Sequence, residues 1–475
     1  MDLQRFFKKE GYDLKCFGDM ERHLSDWGSW YKGDVASFHN YTIYNGEKKV
    51  PQKRLGMQMA KKVSEDWANL LMNERVEFSV DDGSEGKSAT QERLLGVLSD
   101  NDFWVLANRG VELSFALGTG AFVLGLGDLK YDDATNIIDT GDGRIDISFI
   151  PASKIFPLSY EGNDITECAF ATRKTDGKAT YVYVSMHVLD DNGDYLIRNY
   201  VLKETGANYT DITDQQTDFI PEFETKSNVK WFSILRPNIV NNINLDNPYG
   251  ISVFANAIPT LKSADIIYDS LANEFLLGRK RIFVSAEAIK VDIQTGESKL
   301  TFDPNDVVFY SLPSDMDGKQ SIIDTDMTIR ADEHEKAIYL QLNILSSKVG
   351  FGEKHYKFDA GGVVTATQVI SENSSLFRTL KKHEITLENC LFDLFKGIMY
   401  IGNTFINLPM NMDSALSINF DDSIIEDKSA EMTRDLSLVN AGLMQKYEFR
   451  MKYFTEDMQT AKNMILAEPT GFENL

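Results

Sequence analysis

The amino-acid sequence predicts an α+β fold in which a mixed N-terminal half is followed by a half dominated by helices. Within Gly120–Leu235, apolar residues alternate as they do in strands, and Asp190–Gly193 separates two such runs as a hairpin turn does. From Gly250 onward, apolar residues recur at helical spacing instead. Pro313 and Pro409 bound 95 residues without a proline, so long continuous helices are permitted there.

The N-terminal part opens with residues 1–75, whose pattern is helical and rich in aromatic side chains. Met57–Asn73 has one apolar face and predicts a helix. A strand at Arg75–Val80 then leads through a polar loop to two helices, at about 89–99 and 103–117. This half of the chain therefore has the elements of a conventional mixed core.

The second half begins with a helix whose first turn holds Pro259 and whose heptad-like stripe comprises Leu261, Ala264, Tyr268, Leu271 and Phe275. Short strands and turns follow between Arg281 and Thr328, and an amphipathic helix returns over Ala331–Ser347. A further pattern of roughly forty residues predicts a helix about 60 Å long. Its apolar stripe (Leu376, Leu380, Leu387, Leu391, Leu394, Ile398, Ile401) must be buried. We expect neighbouring copies to cover part of that stripe, and the tail beyond Asp421 to be helical.

Composition narrows the functional classes. The chain has 49 basic and 72 acidic residues and a net charge of −23, so it does not grip nucleic acid electrostatically over much of its surface. Its three cysteines lie far apart, which argues against a disulfide framework or a zinc ribbon. The N-terminus lacks a signal-peptide pattern, and no apolar run approaches the ~20 residues that span a bilayer. We expect a soluble intracellular protein.

Candidate catalytic motifs fail on their own spacing. Asp81–Ser88 ends in Gly-Lys-Ser, but the position where a phosphate loop needs its first glycine is Asp81. The acidic cluster Asp332–Glu335 suits the first turn of a helix at least as well as a metal ion. We therefore predict no catalytic residue, no metal ion and no cofactor. The alternative is a metal-dependent DNA-processing enzyme that uses Asp324, Asp326 and Asp332.

The segment Lys348–Gly362 combines basic and aromatic side chains between glycines. Read locally, it is an exposed connector between helices. The functional hypothesis is a mobile loop that touches a phosphate backbone through Lys348, Lys354, His355 and Lys357. The run Arg279, Lys280 and Arg281 also has two interpretations. It complements the C-terminus of a helix, which favours cations, or it forms a basic rim that faces DNA.

Several motifs resemble those of the portal proteins of tailed bacteriophages, of the type found in siphophages and prophages of Gram-positive hosts. They occur in the expected order across nearly the whole chain. They are Trp30–Gly33, Ser37–Tyr41, Met59–Glu74, Tyr249–Ala257, Tyr268–Glu274 and Leu438–Gly442.

The resemblance implies a ring-forming homo-oligomer, typically a dodecamer, with a helical stem, a small β-rich clip, a mixed α/β wing and a helical crown. It assigns 1–254 to the wing, 255–278 and 330–348 to stem helices, 279–329 to the clip and 349–362 to a tunnel loop. It further assigns 363–409 to a long wing helix and 410–475 to the crown.

The resemblance also implies a function without enzymatic activity: a channel at one capsid vertex through which double-stranded DNA is packaged and ejected. Expected partners are the terminase large subunit, scaffolding protein, major capsid protein and a head-completion protein, with no membrane. The protein is expected in the virion, and in the host cytoplasm during assembly. Packing between stem helices of neighbouring subunits is expected at Leu261, Tyr268, Leu271, Phe275, Ile338, Leu342 and Leu345. A non-capsid structural scaffold is a further alternative.

Overall fold

The structure is a computed structural model. It describes residues 3–44, 48–72, 76–83, 88–128, 130–131, 138–139, 143–206, 208–216, 220–277, 281–285, 309–312, 322–325, 328–353, 355–356, 366–420, 428–454 and 458–466. Among these residues, one large apolar core joins the N-terminal helices, the sheets and the long helix, and a smaller cluster lies around Phe170 and Phe232. The fold is α+β, as the sequence predicts.

The N-terminal region is less uniformly helical than its sequence pattern predicts. Helices α1 (Leu3–Lys9), α2 (Lys15–Lys32) and α3 (Ala36–His39) are followed by an antiparallel pair, β1 (Asn40–Tyr44) and β2 (Lys49–Lys53). The helical reading of residues 40–53 was therefore wrong. Both strands are short and mostly exposed, so they lack the buried alternation that marks a strand in sequence.

The next elements form the helical side of the core. They are α4 (Met59–Leu71), β3 (Glu77–Asp81), α5 (Ala89–Asp100) and α6 (Phe103–Leu117), close to the bounds that the sequence predicts. Ser88 caps α5, because its Oγ accepts a hydrogen bond from the Gln91 backbone N–H at 3.1 Å.

The β-rich part consists of two larger sheets and a minor strand pair. One sheet has the order β14-β4-β7, and the other has the order β12-β11-β10-β9-β8 with β13 also paired to β11. Leu189 lies opposite Tyr195 across β10 and β11, which confirms the predicted hairpin. The strand bounds are β4 Gly120–Gly127, β5 Lys130–Tyr131, β6 Ile138–Asp139, β7 Arg144–Pro151, β8 Ile155–Glu161, β9 Asp164–Asp176, β10 Ala179–Leu189, β11 Tyr195–Thr205, β12 Asn208–Asp211, β13 Glu222–Glu224 and β14 Phe232–Leu235.

In the order of the chain, a small three-stranded sheet lies between two helices. Helix α7 (Ile258–Leu277) is followed by strands β15, β16 and β17, and helix α8 (Ala331–Lys348) returns. The strands are Arg281–Ser285, Phe309–Leu312 and Ile322–Thr325. Strand β15 is central, parallel to β16 and antiparallel to β17.

Helix α9 (Ala366–Phe405) is 40 residues long, which confirms the predicted length. Its stripe from Leu376 to Ile401 is buried within the same chain, against β14, β4, α4 and α5. The expectation that neighbouring copies cover part of this stripe was wrong, because a sheet inside the subunit supplies the covering surface. Gly397 permits the close approach: a Cβ there would lie 2.6 Å from Leu124 Cδ1.

The C-terminal region begins with a strand rather than with helices. Strand β18 (Ala415–Asn419) pairs with β3 of the N-terminal part, so residues at the start of the range 410–475 join that body. Helices α10 (Lys428–Asn440), α11 (Lys446–Phe454) and α12 (Met458–Leu466) follow, as the helical pattern of the tail predicts.

Candidate inter-subunit and channel surfaces

Helices α7 and α8 form an antiparallel pair. At its base, Leu261 and Ala264 of α7 and Leu342 and Leu345 of α8 are each at most 2% exposed and belong to the subunit's own core. This anchors the pair to the body of the chain.

The opposite end of the pair is closed by polar contacts. Arg330 Nε donates a hydrogen bond to Glu274 Oε1 at 3.1 Å, and His334 Nε2 lies 3.0 Å from Ser270 Oγ. The hydrogen bond from Arg330 holds the pKa of Glu274 below its usual range. The two helices therefore stay together where the chain leaves for β15 and returns from β17.

The predicted inter-subunit residues divide into two groups. Leu261, Leu342 and Leu345 are buried inside the subunit, and Ile338 packs against its core. Tyr268 is 39% exposed and Phe275 is 54% exposed, with Leu271 half-buried.

The same two helices carry four further exposed apolar side chains that their sequence pattern did not single out. They are Ile266, Leu276, Leu340 and Ile344. The hydrophobic surface that a neighbour can cover thus lies at Tyr268 and Phe275 and at these four residues.

The segment after α8 is anchored to the core at its start. Phe351 is 2% exposed and stacks on the indole of Trp67, with ring centroids 4.6 Å apart and an interplanar angle of 18°. His355 stacks on the other side of the phenyl ring at 4.3 Å and 12°. Trp67 Nε1 also donates a hydrogen bond to the Val349 carbonyl oxygen at 3.1 Å. Residues 349–353 and 355–356 are therefore not a free loop.

Electrostatics reinforce this anchor. Asp66 Oδ1 accepts a hydrogen bond from Lys62 Nζ at 2.6 Å, and Asp66 Oδ2 lies 3.7 Å from His355 Nε2. Burial disfavours the charged form of Asp66, but His355 and Lys62 outweigh that effect and lower its pKa. The side chain of His355 is 28% exposed and is held between this carboxylate and Phe351.

The remaining predicted basic residues are placed unevenly. Lys348 ends α8 and is exposed. Arg281 is the first residue of β15. Lys354, Lys357, Arg279 and Lys280 lie outside the described residues.

The alternative enzymatic site is not assembled among the described residues. Asp332 is exposed in the first turn of α8, Asp324 lies in β17, and Asp326 lies outside the described residues. Within the described ranges, no group of three or more His, Cys, Asp or Glu side chains could hold a metal ion. In the same ranges, no helix combines the length and apolarity that crossing a membrane requires.

A match to a protein-family model identifies the family to which this chain belongs. The model described as "Phage portal protein, SPP1 Gp6-like" matches residues 21–468, which is nearly the whole chain. The chain belongs to the SPP1 Gp6-like family of phage portal proteins. It is therefore a portal protein, the component of one capsid vertex through which viral DNA passes, and a part of the virion.

Similarity to individual proteins is remote. No curated protein sequence matches this portal protein. A solved structure titled "Neck of native GTA particle computed with C12 symmetry" is 11% identical, with 82% of this chain and 87% of that chain covered and a TM-score of 0.41. One from the virion of a native gene transfer agent particle has the same identity and coverage and a TM-score of 0.38.

Family membership bears on the predictions from sequence as well. The match to the portal family confirms the fold class and the portal function predicted from the sequence. The division into wing, stem, clip, tunnel loop and crown, and the roles of individual side chains, remain predictions.

Proposed function

We propose that this portal protein assembles into a closed ring through the outer surfaces of α7 and α8, with double-stranded DNA passing along the ring axis. The observation that carries the proposal is the set of apolar side chains left exposed on this helix pair, with Phe275 and Leu276 each 54% exposed and Leu340 58% exposed. Monomeric soluble proteins rarely expose such clusters, which usually mark an interface. Twelve subunits is the stoichiometry we expect.

Assembly can be tested with a double variant. Phe275→Ser with Leu340→Ser removes apolar area from the proposed interface but leaves the buried base of the pair intact, so the subunit should fold and the ring should weaken. Native mass spectrometry of the wild-type chain and the variant gives the stoichiometry and its loss. Val105→Ser is the matched control, because Val105 is 74% exposed on α6. Rings of equal stability in both variants would contradict the role of α7 and α8.

We assign DNA contact to the basic residues around 348–357, and the anchored start of the segment supports a narrower version of that role. His355 is stacked on Phe351 and faces Asp66, so Lys348, Lys354 and Lys357 are the better candidates for phosphates. Lys354→Glu with Lys357→Glu should impair DNA packaging or retention while rings still form. His355→Gln is the control and should package normally. Normal packaging by the lysine variant would remove the DNA-contact role.

We assign residues 279–329, which include the strands β15–β17, to the clip, where we expect the terminase large subunit to dock. Its place in the chain, between the paired ends of α7 and α8, supports this assignment. Scaffolding protein and major capsid protein would contact the wing, and a head-completion protein would bind later. Assembly would take place in the host cytoplasm.

We further propose that the chain has no catalytic activity of its own. The position of Asp332 supports this, because an acidic side chain in the first turn of a helix complements the helix dipole. Incubation with DNA and Mg²⁺ or Mn²⁺ should leave the DNA intact. Cleavage that Asp326→Asn abolishes would restore the enzyme hypothesis.

A further inference from the structure

Strands β1 and β2 form a two-stranded ribbon at the surface of the subunit. They pair in register from Asn40 opposite Lys53 to Tyr44 opposite Lys49, and no third strand joins them among the described residues. Nearly every side chain of the ribbon is exposed or half-buried. A lone pair of strands is marginally stable in water, so such a ribbon needs a covering surface.

The register gives the ribbon two different faces. Directly opposite residues share a face and alternate residues lie on opposite faces. Tyr41, Ile43 and Val50 therefore lie on one face together with Gln52. This face is mainly apolar, and Ile43 is 47% exposed. Lys49 and Lys53 lie on the other face.

The base of the ribbon is fixed to helix α7. His39 Nδ1 accepts a hydrogen bond from the Val35 backbone N–H, so its Nε2–H points to Asp265 Oδ2 at 3.2 Å. The other oxygen of Asp265 accepts from the Met57 N–H at 2.7 Å, and Asp269 accepts from the Leu55 N–H at 3.0 Å. The residues just before and just after the ribbon are therefore hydrogen-bonded to neighbouring turns of α7, the helix that carries part of the proposed subunit interface.

The charge of the ribbon is opposite to that of the rest of the molecule. Residues 40–54 contain four basic residues and one acidic residue, a net charge of +3, so the remainder of the chain carries −26. A second copy carries the same net negative charge outside its own ribbon, so it attracts the basic ribbon of its neighbour. That is complementarity between identical subunits.

We propose that the β1–β2 ribbon is an arm that packs on the neighbouring subunit of the ring. Tyr41, Ile43 and Val50 cover apolar surface on a second copy of this chain, while Lys49 faces acidic side chains of that copy. Lys53 Nζ already lies 3.5 Å from Asp34 Oδ1 of its own chain. This inference rests on the proposed ring, because the arm has a neighbour to reach only when subunits stand side by side.

The apolar face favours a protein surface over DNA as the occupant. A groove for phosphates needs basic side chains, and it gains nothing from an exposed isoleucine opposite a half-buried valine. The ribbon is also attached at Asp265 and Asp269, which lie on the same helix as Tyr268 and Phe275. The arm is therefore continuous with the surface that the ring requires.

Photo-crosslinking from the arm identifies the occupant. Tyr44, at the end of β1 and 69% exposed, is replaced by p-benzoylphenylalanine, and assembled rings and DNA-filled particles are irradiated. The expected product is an adduct of two copies of this chain. Adducts to DNA alone or to another protein alone, or no adduct in assembled rings, would overturn the proposal.

A double variant measures the contribution of the arm. Ile43→Ser with Val50→Ser should raise the protein concentration needed for half-assembly at least tenfold, without altering the circular dichroism of the subunit. Val105→Ser, on α6, is again the control. If the wild-type chain forms rings and the variant assembles equally well, the proposal for the arm is wrong, whereas the proposed function is unaffected. Failure of the wild-type chain to form rings overturns the proposed function itself.

Discussion

Phe351 is the side chain that attaches the segment after α8 to the rest of the subunit. It lies between Trp67 and His355 and is 2% exposed. Phe351→Ala should lower the free energy of unfolding by about 3–5 kcal/mol, because the change removes a buried ring and leaves a cavity. Chemical denaturation measures this. Phe454→Ala is the control at a phenylalanine that is 52% exposed, where we expect a change within about 0.5 kcal/mol. Equal effects would show that the stack is not a structural anchor.

Two buried histidines predict how stability depends on pH. His383 and His187 are each 1% exposed, and burial lowers the pKa of each from 6.5 to about 3. Below pH 6.5 these histidines are protonated in the unfolded chain but remain neutral in the folded chain. The free energy of unfolding therefore decreases as the pH falls from 6.5 towards 3. Each histidine contributes a slope of up to about 1.4 kcal/mol per pH unit.

His383→Gln should therefore make the decrease of stability between pH 6.5 and 5 shallower by up to about 1.4 kcal/mol per pH unit. Denaturation midpoints measured across this range provide the slope. Phe351→Ala is the control, because it lowers stability at every pH without removing a titrating group. A slope that is the same in all three proteins would refute the assignment.

The packing of α9 against the β14-β4-β7 sheet depends on one glycine. A Cβ at Gly397 would lie 2.6 Å from Leu124 Cδ1 and 3.1 Å from the Lys230 carbonyl oxygen, whereas nothing lies within 4 Å of one at Gly96 in α5. Gly96→Ala should stabilise the protein by about 0.5–1 kcal/mol through helix propensity. Gly397→Ala should destabilise it by about 1–3 kcal/mol through overpacking. Thermal unfolding of both variants is the measurement, and a stabilised Gly397→Ala would contradict the close contact.

The elements also show which parts of the fold local sequence can predict. Helices α7, α8 and α9 follow from long periodic patterns without an interrupting proline, because periodicity over several turns is a strong local signal. The β1–β2 ribbon was missed because neither of its faces is buried in the subunit. The stack of Trp67 on Phe351 joins residues 284 positions apart, so no local pattern encodes it. The sequence predicted the helices that carry the candidate surfaces. Which of their side chains are buried and which are exposed depends on tertiary packing, which the local sequence does not encode.

The part of the chain between α7 and α8 should be separable from the rest of the subunit. Glu274 contacts Arg330 and Ser270 contacts His334, so the two helix ends already lie side by side. Replacing residues 278–329 by a short glycine-serine linker should leave a subunit that still forms rings but no longer binds the terminase large subunit. A pull-down with terminase, together with native mass spectrometry, tests both outcomes.

Replacement of a different exposed segment is the control for a general effect of replacing part of the chain. Residues 191–193 form the exposed turn between β10 and β11, and their replacement by glycine and serine should leave terminase binding unchanged. Terminase binding that survives removal of 278–329 would place the docking site elsewhere on the ring.

The stacked indole of Trp67 gives the molecule a built-in optical reporter. Its ring is fully buried and touches Phe351 and His383, so its fluorescence depends on the position of the segment that follows α8. A chain that keeps Trp67 and carries phenylalanine at the other four tryptophans would emit from this one position. Spectral shifts during ring closure or DNA passage would then record, in solution and in real time, whether the root of that segment moves.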